Sequence, residues 1–213
     1  MKLPFTTEQF LEVFRLYNET VWPMQIIFYF LAIYCLYSIF RKSAFSDKLI
    51  FLFLVIIWLW MGIVYNIIFF SEINIAAYLF GSLFILQALV FAYEGLIENR
   101  LMFEFTGSIY NYTGAILVIF ALAVYPVLGY LFGHRYPYSP TFGLPCPTTI
   151  FTLGLLLFLK GRIPYLLTAI PFVWSLIGFT AAFALGIYED TGLLVAGVIA
   201  LTLTIFKNRN PGI

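Results

Sequence analysis

Apolar segments of membrane-spanning length recur from Val21 to Phe206, and only short polar connections separate them. The chain of 213 residues is 63% hydrophobic and 10% charged. A soluble domain averages about 45–50% apolar and about 25% charged residues. A run of about 20 apolar residues is long enough to cross the hydrocarbon core of a bilayer as a helix. The sequence therefore predicts an integral membrane protein built from helices.

The apolar segments predict an all-α bundle of seven transmembrane helices. The expected spans are about 22–40, 48–70, 75–98, 112–132, 148–160, 163–188 and 192–206. The polar segments between them are too small to hold a hydrophobic core of their own. The whole chain, residues 1–213, is therefore expected to be one transmembrane domain.

Residues 1–20 have the pattern of an amphipathic helix. Thr6 and Gln9 have the spacing of a capping box at a helix start. Apolar residues then recur at helical spacing opposite a charged face: Phe10, Val13, Phe14 and Tyr17 against Glu8, Glu12, Arg15 and Glu19. This pattern predicts a helix lying on the membrane interface. A helix docked on the bundle fits the same pattern, and the two descriptions are compatible.

The distribution of Lys and Arg indicates an orientation. With the N-terminus outside, eight Lys and Arg residues fall inside and three fall outside. The eight inside residues are Arg41, Lys42, Lys48, Arg100, Lys160, Arg162, Lys207 and Arg209. Because positive side chains are enriched in cytoplasmic loops, we expect the N-terminus outside and the C-terminus inside.

The stretch 141–149, TFGLPCPTT, interrupts the helical pattern, because prolines and Gly143 disfavour a helix. The next helix, from Thr148 to Lys160, is roughly 20 Å long at about 1.5 Å per residue, against a hydrocarbon core of about 30 Å. We therefore predict that Phe142–Pro147 supplies the missing length as partly re-entrant, non-helical chain. Such backbone is tolerated at membrane depth only where protein buries it or it lines a wet cavity.

Cys146 lies within this stretch, at the start of the fifth expected helix. A thiol at a helix N-terminus can be a reactive thiolate or a soft-metal ligand. It can equally be a buried, inert cysteine. Thr148, Thr149 and Trp174 are expected to supply hydrogen-bonding partners for the neighbouring backbone.

Polar residues in the outer loops are predicted to converge near Cys146. They are Glu72, Asn74, His134, Arg135, Glu189 and Asp190. Together they offer ligand types for a cation or polar groups for a solute. Asn74 and Asp190 could instead be simple N-caps of the third and seventh helices. The spacing is not diagnostic of a metal, so the metal and the cofactor stay unassigned.

Two features concern the bundle interior. Gln87 lies within the third span, where a polar side chain can belong to a path or form an interhelical hydrogen bond. Small residues recur along the third, sixth and seventh helices, for example at Gly81, Gly178 and Ala196. Because small residues allow close helix contacts, we expect these three helices to form the packed interior.

The sequence does not contain the residues that several classes of function require. A single histidine cannot supply the pair of a zinc protease motif, and there is no phosphate-binding loop motif. Net charge is +1, which gives no basic field for nucleic acid. The sequence leans against an enzyme.

Several segments resemble one known family. They are FSEINIAA at 70–77, TFGLPCPTTIFT at 141–152, WSLIG at 174–178 and AAFALGIYEDTGLL at 181–194. This chain is similar to a family of small bacterial multi-pass membrane proteins, domain of unknown function 6064. The resemblance implies a bacterial inner (cytoplasmic) membrane and the fold above, and it implies no activity.

Three functions fit the sequence. The first is binding or transport of a small solute or ion through an outward-facing cavity at the broken fifth helix, since interrupted helices often hold ligands in transporters. The second is a membrane-embedded enzyme or redox protein that uses Cys146, with Glu189 or Asp190 as base. The third is a non-catalytic partner or assembly factor. Expected partners are membrane lipid and, for the first function, the solute or ion.

Overall fold

The computed structural model describes residues 4–210, which form an α-helical bundle, so the all-α prediction is confirmed. The α-helices are α1 (Thr7–Thr20), α2 (Met24–Phe40), α3 (Ser46–Trp60), α4 (Ala77–Ala92), α5 (Ile109–Ile119), α6 (Tyr125–Leu131), α7 (Pro145–Leu156), α8 (Tyr165–Leu185) and α9 (Thr191–Arg209). Wider π-helical turns extend α3 over Met61–Phe69, extend α4 over Tyr93–Ile97 and join α5 to α6 over Phe120–Val124. Short 3₁₀ turns follow at Phe70–Glu72 and Tyr188–Asp190.

Within the described residues, five continuous helical segments are long and apolar enough to cross a membrane. They are Ser46–Glu72, Ala77–Ile97, Ile109–Leu131, Tyr165–Leu185 and Tyr188–Arg209. The pair α1 and α2 passes the same test only when taken together, and an 80° bend separates its two helices. The helix α7 is apolar but has only 12 residues. These lengths define a membrane-like helical bundle with five, or at most six, spans by length and composition.

The helix α1 begins at the expected capping box. The Thr6 amide donates to Gln9 Oε1 at 2.9 Å, and the Gln9 amide donates to Thr6 Oγ1 at 3.3 Å. One face of the helix buries Phe14 and Tyr17 against the bundle, while Arg15 pairs with acidic neighbours on the outer face. The amphipathic pattern therefore produces a helix docked on the bundle, and we call the end of the bundle that it covers the α1 end.

The central element is α7, because every side chain from Pro147 to Leu159 is buried. Its neighbours include α5, α8 and α9. The closest approach is to α5, where a Cβ added to Gly154 would lie 2.8 Å from the Gly114 carbonyl oxygen. The prediction that the third, sixth and seventh expected helices form the interior is therefore wrong. Their small residues mark pairwise contacts, such as Gly81 against Gly62, and not the axis of the bundle.

The helix α7 starts at Pro145, three residues before the predicted start at Thr148. The first amides of a helix have no intrahelical acceptor, so prolines at these positions remove no hydrogen bond. The non-helical chain shrinks to Phe142–Leu144, which is buried. Within it, Gly143 has a φ of +104°, and a Cβ there would lie 2.8 Å from the Phe28 ring. Phe142–Pro147 is thus not wholly re-entrant coil, since its second half is helix.

Buried chain also continues past the other end of α7, over residues 157–159. The segment before α5 enters the bundle there, with the Glu104 amide donating to Phe158 O at 2.8 Å and the Lys160 amide donating to Met102 O at 2.7 Å. Between them Phe103 is fully buried against Phe51. The sequence analysis predicted additional buried chain only at the proline-rich start of this helix.

The carbonyls beyond the C-terminus of α7 receive donors from two other helices. From α9, Lys207 Nζ donates to Leu159 O at 2.5 Å and to Leu157 O at 3.4 Å. From α5, Asn111 Nδ2 donates to Leu157 O at 3.3 Å. Lys207 is only 7% exposed, and its ammonium lies 4.9 Å from the centre of the Tyr110 ring. A buried cation thus satisfies the end of a buried helix.

We expect Lys207→Met to destabilise the bundle, because it keeps the apolar stem but leaves Leu159 O without its donor. An unsatisfied buried acceptor costs about 1–3 kcal/mol. Thermal unfolding of the purified protein in detergent measures the loss. The control is Lys160→Met, since Lys160 pairs only with the half-exposed Glu104. Equal melting temperatures for the two variants would show that the Lys207 contact adds no stability.

Candidate functional site

A cavity of about 250 Å³ opens at the α1 end of the bundle. Its wall comes from α1, the end of the π-helical extension of α3, the starts of α4 and α7, and the second half of α8. Seven aromatic side chains line it: Phe5, Phe10, Phe14, Tyr65, Phe70, Phe80 and Trp174. The wall is therefore largely apolar and is shared by several elements distant in sequence.

The aromatic rings of the wall pack against one another. Phe70 contacts Phe5 edge to face at a centroid distance of 5.5 Å, and Phe10 at 5.6 Å. On the other side Phe80 contacts Trp174 edge to face at 5.4 Å. Edge-to-face pairs stabilise ring positions beyond simple area burial. The rings are thus held in place by the protein itself, which gives the cavity a defined shape.

Four of the predicted site residues line this cavity: Cys146, Trp174, Asp190 and Asn74. Trp174 is 8% exposed, and its Nε1–H is buried without an acceptor. Asp190 is 3% exposed, and its Oδ1 accepts a hydrogen bond of 2.5 Å from the Tyr125 hydroxyl. The Cys146 thiol adjoins both side chains. These polar groups form one small patch in an otherwise aromatic wall.

The predicted capping roles are only partly met. Asp190 stands at the N-cap position of α9, but its side chain makes no capping hydrogen bond and binds Tyr125 instead. Asn74 lies two residues before the N-cap of α4, and its Oδ1 accepts from the Ala76 amide at 3.1 Å. Asn74 therefore shapes the turn before α4, while Asp190 is directed toward the cavity.

Glu72, His134 and Glu189 do not line the cavity. Glu189 is 1% exposed, and its Oε1 lies 2.8 Å from His134 Nδ1. The second carboxylate oxygen of Glu189 is buried without a partner. The adjacent acids thus have different partners: Glu189 pairs with His134 in the loop after α6, and Asp190 pairs with Tyr125 at the start of α6. Among the described residues no group of three His, Cys, Asp or Glu side chains could hold a metal ion.

Thr148, Thr149 and Gln87 also lie outside the cavity wall. Thr148 Oγ1 accepts from the Gly143 amide at 3.0 Å, which supports the buried chain before α7 as expected. Thr149 Oγ1 is buried without a partner. Gln87 Nε2 donates to Leu167 O on α8 at 3.4 Å, so the interhelical hydrogen bond is the role that the structure shows.

The sequence interpretation missed Tyr125 and most of the aromatic wall. Tyr125 lies inside an apolar helix, where no neighbouring residue indicates a role. Phe10 and Phe14 were recognised as the apolar face of α1, but the pattern does not say what that face covers. In the structure this face forms one side of the cavity.

The fold and the cavity together define a membrane-like helical bundle with an aromatic ligand-sized cavity at one end. The model of a family of unknown function, DUF6064, matches residues 7–213. The chain therefore belongs to this family, as the sequence motifs indicated. No curated protein and no solved structure gives a match.

Cys146 is expected to react with a small membrane-permeant maleimide faster than Cys35. Cys146 is half-buried at the cavity, whereas Cys35 is 3% exposed within the core. The measurement is the rate of mass increase in the single-cysteine variants Cys35→Ser and Cys146→Ser, folded and in denaturant. Reaction of folded Cys146 no faster than that of Cys35 would show that the cavity does not admit small molecules.

Proposed function

We propose that this protein is an integral protein of the bacterial inner membrane whose chain crosses the bilayer seven times. Five long apolar segments support this topology, as do the apolar helices α2 and α7. In this arrangement α7 crosses as a helix enclosed by protein, with buried non-helical chain at both ends. The family assignment is compatible with the proposal.

The proposed orientation places the α1 end outside. The opposite end carries the basic residues counted above, including Arg41 at the end of α2, Lys160 after α7 and Arg209 at the end of α9. Basic residues are enriched on the cytoplasmic side of membrane proteins. The cavity would then face the outer surface, and α1 would lie at the outer interface.

The orientation is tested by labelling intact cells with a membrane-impermeant maleimide. The variants Arg135→Cys and Lys160→Cys, each in a background without Cys35 and Cys146, place exposed thiols at opposite ends of the bundle. We expect Arg135→Cys to react in intact cells and Lys160→Cys to react only after permeabilisation. The reverse result would invert the topology.

We propose further that the protein binds a small, largely apolar molecule in the cavity. The observation that carries this proposal is the cavity of about 250 Å³ itself, which seven aromatic side chains line. Ligand pockets are typically concave and lined mostly by hydrophobic and aromatic side chains, with a few polar groups. A dry apolar cavity of about 150 Å³ already holds benzene, and this cavity is larger.

Solute binding is favoured over the other sequence-based functions. An ion site would need several ligands, whereas one carboxylate lines the cavity. A nucleophilic Cys146 would need a neighbouring cation or histidine to stabilise its thiolate, and the thiol instead adjoins Asp190. Binding is the step that a carrier and a receptor share, so the proposal includes transport without requiring it.

Binding is tested with propylbenzene as an apolar probe in a thermal unfolding experiment. A ligand at 100 times its dissociation constant stabilises the folded state by about 2.7 kcal/mol. We expect propylbenzene to raise the melting temperature of the native protein but not that of Ala181→Phe, whose ring would occupy the cavity. Ala123→Phe, at an exposed site away from the cavity, is the matched control. Equal stabilisation of both variants would place the binding elsewhere.

A further inference from the structure

Part of the cavity wall is also outer surface of the protein. Thr180 and Ala184, in the second half of α8, line the cavity and are exposed, as is Pro4 before α1. On the facing helix α4, Ala76 and Phe80 line the cavity and are half-buried. A residue that both lines a cavity and is exposed lies at its mouth. The mouth is therefore on the side of the bundle, where the second half of α8 lies beside the start of α4.

The groove between α4 and α8 is closed by aromatic rings further from the α1 end. Trp174 of α8 contacts Phe80 and Phe84 of α4 edge to face, at centroid distances of 5.4 and 4.9 Å. Ala181 lies seven residues after Trp174 and hence on the same face of α8, and it lines the cavity. A methyl group there leaves room that an indole fills two turns earlier. The cavity is thus the widened end of this groove.

The surface around the mouth is apolar. Ile75, just before α4, and Leu79 are 84% and 62% exposed, and Phe183 of α8 is 63% exposed. The helical segments Ala77–Ile97 and Tyr165–Leu185 are both long and apolar enough to cross a membrane. Large exposed apolar patches mark surfaces that contact a membrane or a partner. In the proposed membrane arrangement, the mouth therefore opens to the hydrocarbon of the leaflet at the α1 end.

The polar groups of the wall favour a ligand that brings no charge into the cavity. Thr180 Oγ1 donates to a carbonyl of its own helix at 2.8 Å, and Asp190 Oδ1 accepts from the Tyr125 hydroxyl at 2.5 Å. Of the described residues that line the cavity, none is Lys, Arg or His. An anionic headgroup inside would be buried near Asp190 without a counter-ion, which is costly. Such a headgroup stays outside, whereas a hydrocarbon chain suits the aromatic interior.

We propose that the cavity takes the hydrocarbon chain of a membrane lipid, which enters sideways between α4 and α8. The chain lies against the rings that α1 and the α3 extension contribute, Phe10 and Phe70 among them. Because the chain leaves hydrocarbon and not water, the gain comes from close dispersion contacts with the cavity wall. This inference rests on the proposed function and on the proposed membrane arrangement, and it names the class of the apolar ligand.

The inference is tested by photocrosslinking the full-length protein in vesicles of phosphatidylethanolamine and phosphatidylglycerol. The vesicles contain a small fraction of phosphatidylcholine with a diazirine at the end of one acyl chain, and mass spectrometry maps the crosslinks. We expect crosslinks on Phe14, Tyr65 and Leu144, which line the cavity and are 4%, 3% and 1% exposed. Chain ends of surrounding lipid cannot reach such buried residues. Crosslinks on Ile116, which is 64% exposed, measure contact with surrounding lipid.

Two matched variants test the route. Thr180→Phe places a ring at the mouth, and Ser82→Phe places the same ring on α4 outside the cavity. Both native residues are exposed and donate to a carbonyl of their own helix at 2.8 Å. We expect Thr180→Phe to lower cavity crosslinks, relative to those on Ile116, on the order of tenfold, because the ring overpacks the entry. Ser82→Phe should leave the ratio unchanged. Melting temperatures check folding, and Ala181→Phe replaces Thr180→Phe if the latter fails to fold.

The outcomes separate the levels of the proposal. Cavity crosslinks that fall in Thr180→Phe and persist in Ser82→Phe support the inference. Crosslinks confined to exposed residues such as Ile116 would overturn it, while stabilisation by propylbenzene would leave apolar binding in the cavity intact. Cavity crosslinks that are undiminished in Thr180→Phe would overturn entry between α4 and α8. Absence of both cavity crosslinks and stabilisation by propylbenzene would overturn the proposed function itself.

Discussion

The structure depends on satisfying the ends of a helix that is almost entirely buried. Inside a bundle each unpaired backbone group is costly, and α7 has both ends buried. At its start fewer backbone donors need an acceptor, because Pro145 and Pro147 carry no amide hydrogen. At its end the free backbone carbonyls accept hydrogen bonds from Lys207 of α9 and Asn111 of α5. These contacts connect the end of α7 to α5 and α9.

The same helix positions the cavity. The helix α1, Leu144 and the first residues of α7, Pro145 and Cys146, line the cavity together. Cys146, in the first turn of α7, adjoins Trp174 of α8 and Asp190 at the N-cap of α9. These three side chains belong to α7 itself, to α8, and to the turn that starts α9, and both α8 and α9 pack on α7. The polar patch is thus a consequence of the packing around one short helix.

Periodicity and composition were sufficient for the parts of the fold that depend on local properties. The helical class, the capping box at Thr6 and the unusual position of the segment around Cys146 follow from residues close together in sequence. The start of α7 was misplaced because proline was treated as a helix breaker, although it is tolerated in the first turn. The insertion of Phe103 beside α7 had no sequence signal, since it pairs segments more than 50 residues apart.

In the candidate site, too, the sequence indicated what depends on residue type and not what depends on contacts between distant segments. Cys146, Trp174 and Asp190 stood out as polar or reactive groups in apolar surroundings, and the cavity joins them. Glu189 stood out for the same reason, but its side chain pairs with His134, and adjacent residues in a turn can point to different neighbours. Tyr125 had no distinguishing context at all. Residue type therefore identifies candidates, whereas their grouping depends on tertiary contacts.

The contact between Lys207 and Leu159 has a consequence for biogenesis. The two residues are 48 positions apart, so the ribosome makes α7 well before the side chain that completes its C-terminal end. Until α9 emerges and inserts, the carbonyls after α7 lack that donor, and the central helix cannot reach its final hydrogen bonding. The central helix α7 therefore obtains its final hydrogen bonds only after α9, a later part of the chain, has been synthesised.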